Sequence, residues 1–331
     1  MTGTEAPAAS DGGLLAPASE DGLSSPGGAG GGTVRFRLGV AYDGTGFRGW
    51  TRQPGLRTVQ GVLEDALLTL LRRHPPAPSL VVAGRTDAGV HAVGQACHVD
   101  LTVEQLAALG RERRRRAAES SAELLRARLN GILGLSSDVV VTSAVEAPAG
   151  FDARFGAVWR RYEYRIADAE ALHDPLQRHR TVAHAGRLDV DLMNSAARGM
   201  LGLHDFAAYC KPRAEATTIR TLQDYTWERD ADGVLVARVR ADAFCHSMVR
   251  SLVGAAVAVG EGKLPPERPG ELLGAGARST EFVVLPAKGL TLMEVGYPRD
   301  SELAARSEQT RARRQAGEGG TAAVVGGSGV R

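Results

Sequence analysis

The sequence predicts an α+β fold made of two ferredoxin-like, split βαβ halves, with antiparallel sheets, helices on one face of each sheet and a cleft between the halves. Two observations support this prediction. The element order β-α-β-β-α-β occurs over residues 34–141 and again over 159–295, with Pro148 between the two runs. In addition, the Asp-Ala-Asp-Gly turn at 230–233 is typical of a tight hairpin.

The first half begins with a strand, because apolar and polar side chains alternate from Val34 to Val40. Thr58 then caps a helix whose apolar positions return every three or four residues until Leu71. The remaining predicted elements are strands near 79–84 and 94–100, a helix over 122–133 and a strand over 139–141.

The second half repeats this order. Its predicted elements are a strand over 159–166, a helix over 189–201, paired strands over 221–229 and 234–242, a helix from about His246 and a strand over 290–295. Both ends of the chain are too rich in Gly, Ala, Ser and Pro to bury a core. The predicted organisation is therefore a disordered leader over 1–33, halves over 34–147 and 148–298, and a disordered tail over 299–331.

Composition excludes a wholly disordered chain and a membrane chain, because 43% of the 331 residues are hydrophobic and 24% are charged. No apolar run approaches the length of a membrane span, and we expect neither secretion nor membrane insertion. The net charge of +2 means that a nucleic-acid surface would need local clusters of arginine. Three cysteines without paired spacing predict reduced thiols in a cytoplasmic protein and no disulfide.

The most informative motif is GRTDAGVHA at residues 84–92, which lies on a loop between two predicted strands. Such a loop can hold a side chain over a cleft. The charge of Arg85 favours an ionised Asp87, and an ionised carboxylate can attack an electrophilic carbon. We interpret Asp87 as a nucleophile. The alternative is that Asp87 and Gly89 only form a turn.

Gly44, Gly46 and Gly49 have the spacing of a dinucleotide-binding turn, but no helix follows at once to meet a pyrophosphate. The match is therefore weak. The same loop carries Arg48, Trp50, Arg52 and Gln53, which suit base stacking and phosphate contacts, although an ordinary loop with one buried Trp is an equal alternative.

Two further patterns are most simply explained without a catalytic or binding role. The pairs at Cys97–His98 and Cys245–His246 lack metal-ligand spacing, so we expect no metal site. The arginine-rich run over 111–116 is most simply a solvated helix face, and a phosphate-contacting arm is the alternative.

Several motifs, in one order, resemble those of the TruA-type tRNA pseudouridine synthases over roughly residues 34–298. Besides GRTDAGVHA they are YDGTGFRGW from Tyr42, TVQGVLE from Thr58, FDARF from Phe151, RRYEY from Arg160, HDF from His204, FCHSMVR from Phe244 and KGLTL from Lys288. The resemblance implies a homodimer that needs no cofactor and isomerises uridine to pseudouridine at tRNA positions 38, 39 and 40, in the anticodon stem-loop. The cleft between the halves would bind the RNA.

The resemblance also implies roles for individual residues. Asp87 would be the nucleophile, Tyr162 would stack on the target base, and Arg250 would pair with Asp87. Arg85 is placed to fill the gap that a flipped base leaves. The candidate tRNA contacts are Arg48, Arg52, Gln53, His91, Arg154, Arg160, Arg161 and Lys211.

Three points stay open at this level. Asp87 can attack either the base or the sugar, Tyr162 is the one suggestion for the base that removes the C5 proton, and His98 and residues 210–218 are assigned only as RNA-facing. A non-catalytic RNA-binding module and a nicotinamide-dependent oxidoreductase are the competing functions.

Overall fold

In a computed structural model of the protein, the structure describes residues 32–110, 120–213 and 217–319, with side chains described as far as 312. Most of the predicted leader, the arginine-rich run over 111–116 and the end of the predicted tail lie outside the described residues.

A mostly antiparallel sheet organises the described chain. Its strands are β1 (Thr33–Tyr42), β2 (Leu80–Val82), β3 (His91–Thr102), β4 (Val139–Glu146), β5 (Trp159–Ala167), β6 (Val182–Ala183), β7 (Gly202–Asp205), β8 (Ile219–Arg229), β9 (Leu235–Ala241) and β10 (Leu290–Gly296). The order across the sheet is β4-β1-β3-β10-β5-β9-β8-β7, with β2 paired to β3 and β6 paired to β5. The α+β class of the prediction is confirmed.

The helices of the described residues are α1 (Val59–Leu71), α2 (Val103–Gly110), α3 (Ser121–Leu133), α4 (Val190–Gly199), α5 (Met248–Gly260), α6 (Arg268–Glu271) and α7 (Leu303–Gly319). Thr58 caps α1 as predicted, because its side chain accepts a hydrogen bond from the Gly61 amide. None of these helices is both long enough and apolar enough to span a bilayer.

The core follows from the sequence periodicity. Every second side chain of β1 is buried from Phe36 onward, and α1 buries Leu63, Leu67 and Leu71. Helix α5 is buried along almost its whole length. Each large apolar side chain removed from water contributes roughly 1.5–3 kcal/mol, so the helices stay attached to the sheet through these contacts.

Strand β10 connects the two parts of the sheet. It pairs in parallel with the start of β3, at His91 and Ala92, and antiparallel with β5. This pairing explains why β3 begins at His91 and not near residue 94 as predicted. The extra residues are ordered by a strand that lies about two hundred positions away in sequence.

The predicted disordered tail is wrong for residues 300–319, which form a short 3₁₀ turn and α7. Leu303 packs in a small cluster with Phe151 and Ala153. Arg311 donates a 2.7 Å hydrogen bond to the buried carboxylate of Asp152. The Gly- and Ala-rich composition of the chain end suggested disorder, but one apolar anchor and one ion pair attach this segment to a distant part of the chain.

The expectation of three reduced cysteines is also wrong. Cys210 and Cys245 form a disulfide across a Cα–Cα distance of 5.7 Å, and Cys97 is a buried free thiol. The two bonded residues are 35 positions apart and lie in separate loops. Sequence spacing gave no sign of the pair because the fold alone brings these loops together.

His98 lies inside β3 and is buried, so the earlier assignment to an RNA-facing loop is wrong. Its Nδ1 accepts a 3.0 Å hydrogen bond from the amide of Ala153. Burial, together with the nearby Arg35 guanidinium, lowers the pKa of His98 to about 4. The imidazole is therefore neutral at pH 7 and fastens the Phe151–Ala153 segment to the sheet.

This burial predicts a loss of stability in mild acid. Between pH 6.5 and 4 the unfolded chain protonates His98 and the folded chain does not, so the free energy of unfolding falls as the pH falls. At pH 5.5 we expect a loss of about 1 kcal/mol from this residue. Urea unfolding of His98→Gln at pH 7.5 and 5.5 checks this, since the variant should lack that part of the pH dependence. The exposed His173→Gln is the control, and equal pH dependence in both variants would contradict the account.

Candidate active site

The loop between β2 and β3 carries Asp87, and hydrogen bonds to the residues before it fix its backbone. The buried Thr86 side chain shares a 2.8 Å hydrogen bond with the Tyr42 hydroxyl. The side-chain Nε2 of Gln95 donates to the Gly84 carbonyl at 2.9 Å. Because the neighbours of Asp87 are fixed and its own side chain remains about one-third exposed, the carboxylate lies at the surface of a rigid loop.

The glycine-rich loop after β1 packs against this segment. The Trp50 amide donates to the Thr86 carbonyl at 3.0 Å, and the Gly89 amide donates to the Phe47 carbonyl at 3.3 Å. Gly49 has φ +94°, and a Cβ there would lie 3.0 Å from the Thr86 carbonyl. Helix α1 begins only at Val59, and its first amides donate to the Gly49 and Trp50 carbonyls, so this helix start is not free to meet a pyrophosphate. The nicotinamide hypothesis therefore has no support in this loop. Trp50 is buried, so it does not stack on RNA.

Two cationic or hydrogen-bonding groups face the carboxylate of Asp87. Arg250 Nη1 lies 3.9 Å from Oδ2, and His246 Nε2 lies 3.7 Å from Oδ1. The Arg250 Nε donates a 2.6 Å hydrogen bond to the Leu285 carbonyl, which fixes the guanidinium. An open pair at such distances contributes about 0–1 kcal/mol to stability, so its importance lies in orienting charge.

Tyr162 of β5 lies beside this group. Its ring is largely buried and contacts Phe244 edge to face, with 5.1 Å between ring centroids. Burial raises the pKa of the Tyr162 hydroxyl, and the negative charge of Asp87 adds to this effect. A phenol that stays protonated at neutral pH is a poor proton acceptor, which argues against Tyr162 as the general base.

Arg160 was a candidate tRNA contact, and the structure gives it a different position. Nη2 of the guanidinium donates to the Ala83 carbonyl and Nη1 donates to the Asp242 carbonyl, each at 2.8 Å. Arg160 therefore joins the start of the Asp87 loop to the end of β9. Burial lowers the pKa of this guanidinium, and the two carbonyls supply its hydrogen-bond partners.

His91 is also not available to RNA, because both nitrogens of its buried ring have hydrogen-bond partners within the protein. Its Nδ1 lies 3.1 Å from the Gly44 amide nitrogen, which donates to it, and 3.2 Å from Asp43 Oδ1. Its Nε2 donates to the carbonyls of His179, at 2.8 Å, and Lys288, at 3.1 Å. The residue ties three loops together around the Asp87 segment.

The other candidate contacts divide into paired and exposed groups. Arg52 bonds Glu64 and Asp65, and Arg161 lies 3.1 Å from Glu294. The half-buried Arg154 guanidinium lies over the ring of Phe155. The side chains of Arg48, Gln53, Arg85 and Lys211 are exposed. Among the described residues, none of the three cations in this exposed set has a carboxylate within ion-pair distance.

Sequence reasoning missed His246 as a neighbour of Asp87. The residue lies in FCHSMVR, a motif that was used only to locate Arg250. The pair Cys245–His246 was weighed as a metal site. The described chain holds no cluster of three or more His, Cys, Asp or Glu side chains suited to a metal ion.

The chain is similar in sequence to known proteins over most of its length. A family model described as tRNA pseudouridine synthase matches residues 196–298. The chain is 62% identical to tRNA pseudouridine synthase A of Leifsonia xyli subsp. xyli over 281 residues, which cover 84% of this chain and 96% of that protein. It is 52% identical to the proteins of the same name from Streptomyces avermitilis, over 86% of this chain and 95% of the relative, and Frankia casuarinae, over 85% and 96%.

The packing of Gly49 predicts a specific cost of adding one methyl group. Gly49→Ala combines a positive φ with a clash against the Thr86 carbonyl. Gly55→Ala is the matched control, since Gly55 has φ +71° and no atom within 4 Å of the added Cβ. We expect Gly55→Ala to cost about 1–2 kcal/mol and Gly49→Ala clearly more in urea unfolding. Equal costs would contradict the close packing of the two loops.

Proposed function

Because the chain belongs to the tRNA pseudouridine synthase A family, and is thus an isomerase acting on tRNA, we propose that it modifies positions 38, 39 and 40 of the anticodon stem-loop, with Asp87 as nucleophile. The observation that carries this proposal is the position of Asp87, which is exposed on a fixed loop and faces Arg250 and His246.

The reaction requires a group of this kind. The bond between N1 of uracil and C1′ of the ribose must break, the base must turn, and C1′ must join C5. The C5 proton then leaves and N1 gains a proton, so no electrons are exchanged with another molecule. A carboxylate can add to the base or capture C1′, and either step bonds one of the two fragments to the enzyme while the base turns.

The target base must leave its stack before it meets Asp87, at a cost of a few kcal/mol. In our proposal the ring of Tyr162 stacks on the extruded base and returns about 1–3 kcal/mol. Arg85 has an exposed side chain two residues before the nucleophile. It would fill the gap in the RNA that the base leaves.

We also propose the domain arrangement and the RNA-binding cleft from the family membership. Residues 34–147 and 148–298 would be two ferredoxin-like halves, because the strand orders β4-β1-β3-β2 and β10-β5-β9-β8 each suit a split βαβ unit. The RNA would lie in the cleft between them, near the exposed Arg48 and Lys211. A homodimer without a cofactor follows from the family resemblance.

The first test removes the nucleophile. Asp87→Asn keeps the shape of the side chain and loses its negative charge, so we expect no turnover and nearly unchanged tRNA affinity. Tritium release from C5 of labelled uridine in tRNA measures turnover, and filter binding measures affinity. Asp191→Asn, which removes an exposed carboxylate of α4, should retain full activity. Measurable turnover by Asp87→Asn would refute the assignment, and absence of release by the unaltered protein would refute the function.

A second test isolates the ring of Tyr162. Tyr162→Phe and Tyr162→Leu both lack the hydroxyl and differ in the aromatic ring. Since a stacked ring contributes about 1–3 kcal/mol, we expect kcat/KM of Tyr162→Leu to be about 10- to 100-fold below that of Tyr162→Phe. Equal values for the two variants would show that Tyr162 does not stack on the base.

A further inference from the structure

The loop between β9 and α5 places His246 beside Asp87, which lies on the separate loop between β2 and β3. His246 Nε2 faces Oδ1 of the carboxylate at 3.7 Å, and Arg250 Nη1 faces Oδ2 at 3.9 Å. Each oxygen of the nucleophile therefore has its own neighbour. The His246 side chain is 43% exposed, so it lies at the surface of the site and not in the core.

The backbone that carries His246 adopts an unfavourable conformation. Ser247 has φ +64°, and among the described residues no other non-glycine residue has a positive φ. This conformation costs about 1–2 kcal/mol for a residue with a Cβ. Residues of this kind concentrate where a site requires one particular geometry. Here the strained residue directly follows the imidazole that faces Asp87.

Several contacts keep this loop in place. The Lys211 amide donates to the His246 carbonyl at 2.9 Å, and the Ser251 amide donates to the Ser247 carbonyl at 3.0 Å. The disulfide joins Cys245 to Cys210. The position of His246 is thus fixed from both sides of the residue.

Packing does not account for these features. Phe244 contacts Tyr162, and Met248 is fully buried, so the neighbours of His246 supply the apolar contacts of the loop. Among the described carboxylates, only that of Asp87 lies within ion-pair distance of His246. The strained and anchored loop therefore carries the imidazole that faces Asp87.

We propose that His246 is a positioning residue for the nucleophile, an inference that rests on the proposed role of Asp87. Nε2–H of the imidazole donates to Oδ1 while Arg250 acts on Oδ2, so the carboxylate cannot rotate and presents one oxygen to the substrate. Distances in such pairs are often long without substrate and shorten when it binds. Orientation of this kind acts on kcat, because it brings the reacting atoms into line.

The test compares two substitutions with the matched control His173→Ala, which removes an exposed histidine from another loop. His246→Ala should lower kcat about 10- to 100-fold and change the KM for tRNA less than threefold. His246→Gln keeps an N–H donor and cannot accept a proton, so it should recover most of kcat. Tritium release from C5-labelled tRNA gives kcat and KM, and urea unfolding checks that each variant is folded.

Three results would overturn the proposal. Unchanged kcat in His246→Ala would show that the contact is not needed. An increase in KM alone would assign His246 to RNA binding. A kcat in His246→Gln as low as in His246→Ala would indicate proton transfer by the imidazole. The proposed function fails separately, since it requires release by the unaltered protein and none by Asp87→Asn.

Discussion

The burial of Thr86 is the constraint on which the rest of the site depends. A carboxylate that reacts with RNA must be reachable from solvent and yet fixed in direction. Here the residue before it is inside the protein, bonded through its side chain to Tyr42 and through its carbonyl to Trp50. The chain therefore crosses from interior to surface within one residue, and Asp87 takes its rigidity from a buried neighbour.

The groups around Asp87 come from distant parts of the chain, and β10 explains how they meet. It lies between β3 and β5, so the loop that precedes β3 and the strand that carries Tyr162 belong to one continuous sheet. Arg160 strengthens the same junction through the carbonyls of Ala83 and Asp242. The geometry of the site is therefore a property of strand pairing and main-chain hydrogen bonds as much as of the side chains that face Asp87.

Elements defined by local pattern were predicted well from the sequence. Helix α1 has a cap and an apolar period within its own residues, and the turn between β8 and β9 has its own chemistry, so both are found close to where they were expected. Features that depend on distant partners were not. The start of β3 needs β10, α7 needs Phe151 and Asp152, and the disulfide needs two loops brought together. The same limit applies to the site residues. The sequence does not show whether an arginine or histidine faces solvent or, as with Arg160 and His91, forms hydrogen bonds with the main chain beneath a loop.

The acceptors of Arg160 have a consequence for how this protein can change over evolutionary time. Both are main-chain carbonyls, which every amino acid possesses. Sequence drift at positions 83 and 242 can therefore replace the side chains there without removing either bond, whereas the guanidinium itself has no substitute of equal reach and planarity. Selection should then act on one side of the contact only, and pairwise covariation, the usual sign of spatial proximity in protein families, would not reveal it.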